Sequence, residues 1–152
     1  MMSTLILLTQ LASTWFLVGL IWTIQVVHYP LFAAVGLDRF VDYEAAHARL
    51  ITLVVGPVML IEAATAVLLI TNRPPAIPAW IAWTGLALVA VIWISTAAIQ
   101  VPAHGRLAEG FEAAAHARLV GSNWIRTIAW TARGLLLAVA IWPLLQSAST
   151  RV

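Results

Sequence analysis

The chain has 152 residues, 62% of them hydrophobic and 9% charged, with a formal net charge of +2. A mean hydropathy of +0.97 excludes an ordinary water-soluble domain, and the lack of any basic cluster excludes nucleic acid as a partner despite a pI near 9.9. There is no Cys, hence no disulfide, thiolate ligand or Cys nucleophile, and no Lys, hence no Schiff-base chemistry.

In chain order the apolar stretches are Leu5–Val27, Ile51–Ile70, Trp80–Val101 and Leu119–Leu145. Each has about the 20 residues that cross a bilayer as a helix. The first lacks the basic start and small-residue cleavage site of a signal peptide, so it reads as a span. The pattern predicts an all-α fold: an integral membrane four-helix bundle, with residues 1–152 forming a single transmembrane domain.

The bundle reads as a duplication. Glu44-Ala-Ala-His47-Ala-Arg49-Leu50 returns as Ala113-Ala-Ala-His116-Ala-Arg118-Leu119, identical at six of seven positions. Upstream, His28-Tyr29-Pro30 answers Gln100-Val101-Pro102. Repeat 1 covers about residues 5–71 and repeat 2 about 79–146, two spans each, so the repeats are parallel. Both termini and Asn72-Arg73-Pro74-Pro75 then share one end of the bundle, end A. End B carries the connections from Tyr29 to Ala46 and from Pro102 to Ala115.

In those connections Pro30 and Pro102 are expected to stop their helices. Gly36 and Gly110 precede the return to helix, Asp38 is the expected N-cap of the second span, and Phe111-Glu112 starts the fourth. This places His47 and His116 about two turns inside their helices. Arg39, Arg49, Arg106 and Arg118 at end B outnumber Arg73 and Arg151 at end A, which points end B to the cytoplasmic side of a bacterial-type membrane unless those arginines serve the site or lipid headgroups, so the orientation stays open. Trp80, Trp83 and Trp142 fall where interfacial anchors belong, and Gly85-Leu-Ala87 offers a small-residue face to lipid or to a second subunit.

Polar residues inside spans are expensive, so each marks a partner or a cavity. On the fourth span His116, Asn123 and Trp130 recur every seven residues, with Arg126 and Arg133 three beyond the last two. That spacing makes one polar stripe. Glu62 lies 15 residues past His47 and Arg133 lies 17 past His116. These are depths of roughly 22 and 25 Å at ~1.5 Å per residue, which predicts a structural Glu62–Arg133 ion pair.

His28, His47, His104 and His116 all belong to end B, and three arrangements suit them. His47 and His116 are quasi-symmetric haem ligands. Alternatively all four hold non-haem iron, copper or zinc, with Glu44, Glu112 or Asn123 assisting and Tyr43 or Glu112 orienting the rings. In the third there is no cofactor, and histidine acts as base while Arg126 holds an oxyanion. In each, His104, Asn123 and Arg126 are the candidate catalytic residues. Gln25, Tyr43, Gln100, Trp124 and Trp130 line the pocket for a lipophilic small molecule.

Gln100-Val101-Pro102-Ala103-His104-x-x-Leu107, with Asn123-Trp124-Ile125-Arg126-Thr127, resembles the anthrone oxygenase-like family of small four-helix membrane proteins. The likeness covers about a third of the chain, and His104 stands where that family more often has Asn. The resemblance implies oxidation of a lipophilic polycyclic or quinol-like substrate at the end of the bundle. The rival reading is a small transporter or binding subunit of a membrane complex, which needs a polar track from Glu62 to end A. Beyond Thr71 and Asn72 the sequence offers little to continue one.

Overall fold

In a computed structural model, residues 1–149 are described; Arg151 lies outside them. The chain forms four long helices: α1 (Met2–Ala34), α2 (Phe40–Asn72), α3 (Ala79–Leu107) and α4 (Ala113–Ser149). All four contain windows long and apolar enough to cross a membrane, as a multi-pass integral membrane protein requires. At 33 residues α1 is about 50 Å long, against ~30 Å of hydrocarbon, so the helices reach well past the apolar stretches.

Apolar layers hold the helices in up-and-down order. At end A, Ile6 and Leu7 of α1 meet Leu69 of α2, Ile77 and Ile81 at the start of α3, and Leu137 and Ala140 of α4. Leu17, Ile21, Met59, Ile92 and Trp130 form a middle layer. At end B, Tyr29 and Phe32 pack with Phe40, Leu107, Ala115 and Leu119. Lipid replaces water on the outside, so exposed Leu and Val there need no other explanation, and Trp80, Trp83 and Trp142 are exposed near end A.

Several local expectations are corrected. Pro30 and Pro102 do not stop their helices. Each follows a π-helical turn, Ile24–His28 and Thr96–Gln100, in the same register of the two repeats. A proline lacks the N–H for the carbonyl four residues back and pushes that carbonyl aside; the wider turn absorbs the clash and the helix continues. Asp38 caps nothing: the residue before α2 is Arg39, with no side-chain cap, and the two form an exposed contact of 3.9 Å. His116 sits in the first turn of α4 rather than two turns in, its N–H bonded to the Glu112 carbonyl. Gly85 is buried rather than lipid-facing, because its carbonyl accepts a hydrogen bond from Arg133.

Gly110 closes α3 with φ +148°, a backbone region that L side chains avoid. Gly110→Ala should therefore cost about 1–2 kcal/mol although nothing would touch the added methyl. Equilibrium unfolding in mixed micelles checks this, and an unchanged stability would count against the turn.

Candidate functional site

Two polar layers alternate with the apolar ones. The layer nearer end A is closed on itself. Arg133 Nε donates to Glu62 Oε1 at 2.8 Å, and both side chains are at most 2% exposed. Thr14 Oγ donates to the same oxygen at 2.8 Å, Trp130 Nε1 donates to Oε2 at 3.0 Å, and Arg133 also bonds Gly85 O. Every charge here is answered within the layer, and the apolar layer of Ile6, Leu7 and Leu137 lies between it and end A, entered by a small cavity of about 20 Å³ that Gln10, Arg133 and Arg73 line.

The layer nearer end B borders a cavity of about 270 Å³. Tyr29, part of the buried end-B layer, lines that cavity with His104, Arg126, Gln100 and Trp130. The floor and back wall, from α1 and α4, are mostly buried: Leu17, Ile21, Ile24, Arg126, Trp130. The exposed lining residues come only from α2 and α3: Thr52, Trp93 (37%) and Val101 (60%). The mouth therefore opens sideways between α2 and α3, along the surface that lipid covers, and Gly56 of α2, with no side chain, leaves room at it.

A chain of hydrogen bonds ends at this cavity. Glu44 Oε1 lies 2.5 Å from His104 Nδ1, His104 Nε2 lies 2.9 Å from the Tyr29 hydroxyl, and Arg126 Nη2 donates to that hydroxyl at 3.2 Å. One proton arrangement satisfies every member. The Glu44 carboxylate accepts from His104 Nδ1–H, which leaves Nε2 to accept from Tyr29, and the tyrosine oxygen accepts from Arg126. Behind Arg126, Asn123 Oδ1 accepts from Arg126 Nε at 2.9 Å, and Asn123 Nδ2 donates to Gln25 Oε1 at 2.8 Å. Among the described residues Arg126 pairs with no carboxylate. Its charge is thus available to an anion in the cavity.

Three of the four histidines converge. His28 Nε2 and His47 Nδ1 are 2.9 Å apart, and the His47 and His104 rings are 5.5 Å apart. His116 stands off: its Nε2–H donates to the Tyr29 carbonyl at 2.8 Å. The wholly buried Phe32 ring neighbours both His47 and His116, with ring centres 5.0 and 6.4 Å away. Among the described residues no three His, Asp or Glu side chains are grouped to hold a metal. The ring nitrogens of His28, His47 and His104 that approach a neighbour are directed at one another, at Glu44 and at Tyr29.

The expected pocket residues divide. Gln100 and Trp130 line the cavity. Gln25 is buried behind it, accepting from Asn123 and donating to the Val120 carbonyl. Tyr43 lies beside His28, ring centres 6.5 Å apart, outside the cavity. Trp124 is on the outer surface, edge-on to Trp22 at 5.6 Å. The residue that sequence reasoning missed is Tyr29; its place before Pro30, where the matched motif has Val101, was the available signal.

No protein-family model, curated protein or solved structure matches the chain.

Proposed function

We propose that this is a membrane-embedded enzyme that takes a proton from a lipophilic aromatic or quinone-like substrate, an oxidoreductase of the oxygenase kind. The single observation that carries the reading is the Glu44–His104–Tyr29–Arg126 chain ending in a cavity open towards lipid. Substrate enters between α2 and α3 without leaving the bilayer. The bundle belongs in a bacterial-type cytoplasmic membrane, with both termini on one side.

The chemistry follows from the donor arrangement. The substrate is a ring ketone with an acidic CH₂. Tyr29 passes its proton to His104 Nε2 and takes one from that carbon. Arg126 holds the oxygen on which the negative charge settles. Glu44 compensates the positive charge on His104. Dioxygen is the co-reactant: it adds to the ionised carbon, the two C–H hydrogens leave with one oxygen as water, and the carbon becomes a carbonyl. The rival transport reading needs a polar path to end A. Against it stands the Glu62–Arg133 pair, whose charges answer each other inside a largely apolar end of the bundle.

The test is deuterium uptake from D₂O by anthrone, with the purified protein in lipid nanodiscs. The wild type should accelerate uptake over empty nanodiscs, and Tyr29→Phe should lose about 10²–10⁴ of that acceleration. A wild type no faster than empty nanodiscs sinks the reading.

A further inference from the structure

Deuterium uptake from D₂O requires the proton held at His104 to exchange with water, and that route is not the substrate mouth, which faces lipid. Among the described residues, two buried side-chain atoms lack a hydrogen-bond partner: Glu44 Oε2 and His47 Nε2. Glu44 is wholly buried and His47 is 8% exposed. They lie three residues apart on α2, so both side chains leave the same face. Leaving such atoms unanswered is costly, and two polar partners suffice to hold a water.

A hydrogen-bonded segment leads away from each of these two residues. On one side run Tyr29, His104 and Glu44, in contact through Oε1. On the other, His47 Nδ1 meets His28 Nε2 at 2.9 Å, and His28 is only part-buried. Each intermediate side chain has two protic atoms, one facing inward along the line and one outward.

We infer that Glu44, one water bridging Glu44 Oε2 to His47 Nε2, then His47 and His28 form a proton-exchange path between His104 and the end-B surface. The inference rests on the acid–base reading above. One proton moves at each hop: the Glu44 carboxylate takes it on Oε1 and, turning its carboxyl group, gives it to the water, while each imidazole takes a proton on one nitrogen as it gives one from the other. Each residue regains its charge and no oxidant or reductant is involved. The duplication supplies a contrast. Glu44 and His28 have Ala113 and Gln100 as repeat counterparts, neither of which relays a proton as imidazole or carboxylate does. The second copy keeps His116, but uses it on a backbone carbonyl.

The experiment needs no substrate. In ¹⁵N-histidine-labelled protein in micelles, NMR follows solvent exchange of the His104 Nδ1 proton held against Glu44. His28→Phe keeps a ring against Phe32 but removes both nitrogens, and should slow that exchange about a hundredfold, the scale of a lost acid–base group. Exchange unchanged or faster, with the resonance in place, overturns the inference. If the variant loses the resonance, the wild type decides: magnetisation transfer from water to His47 Nε2 is expected, and its absence overturns the bridging water. Tyr29→Phe, which should silence anthrone deuteration, should leave this exchange unaltered; slowing there would mean that protons arrive through the cavity instead. An inactive wild type with slowed exchange in His28→Phe would remove the substrate reading and leave the proton line.

Discussion

Arg133→Leu is expected to lose about 3–5 kcal/mol of stability, because it strands the Glu62 carboxylate, 1% exposed, between apolar layers. Thr14 and Trp130 would still donate to it, but neither carries charge. The informative comparison is the double variant Glu62→Leu with Arg133→Leu. Replacing a buried pair by apolar side chains is often neutral or stabilising. Here the Trp130 N–H loses its acceptor, at about 1–3 kcal/mol. The double variant should therefore recover roughly half of the single variant's loss in mixed-micelle unfolding. A double variant as unstable as the single would show that stranded charge is not the cause. Because Trp130 also lines the cavity, both variants should loosen its floor.

Glu44→Gln should lower anthrone deuteration by about 10²–10⁴ while leaving the affinity for the probe nearly unchanged. The amide keeps one oxygen to accept from His104 Nδ1–H, so the ring stays in place. What it loses is the negative charge that stabilises His104 once protonated. An orienting carboxylate is worth ~10⁴ in the serine-protease triad, where the corresponding amide acts chiefly by holding the wrong tautomer. The test separates the rate at saturating probe from the concentration giving half that rate. A matching loss of affinity with an unaltered maximal rate would make Glu44 a packing residue.

Much of the frame was legible because it rests on patterns that a line of sequence preserves. Hydropathy gave four spans, and the echo of residues 44–50 in 113–119 gave the duplication. Helical period put Asn123, Arg126, Trp130 and Arg133 on one stripe, and all four are buried. A helix-length ruler brought Glu62 level with Arg133, where they pair. The proline stops failed because a single proline does not reveal whether the preceding turn widens. In both repeats it does, and the chain stays helical through Tyr29 and His104.

The site was legible by membership more than by role. All four histidines drew notice, yet His47 and His116, matched in sequence, are unlike in space. Both neighbour the Phe32 ring, but the first bonds His28 while the second donates to the Tyr29 carbonyl. Gln25 and Trp124 show the same limit: being polar or aromatic at the right depth does not say which face of the helix meets the cavity. Tyr29 escaped because its one signal, a tyrosine before Pro30 where the second copy has Val101, says nothing of what its hydroxyl meets.

By itself, then, the sequence determined an apolar four-span chain with a repeated helix pair, since burial in lipid is dictated by composition and period. Only the tertiary structure decided that Tyr29, His104 and Glu44 form one line, with Arg126 at its inner end and His47 and His28 beyond it. Those contacts join α1, α2, α3 and α4 across sequence separations of 60 to 97 residues. Hydrogen bonds depend on ångström distances between side chains that no local pattern encodes.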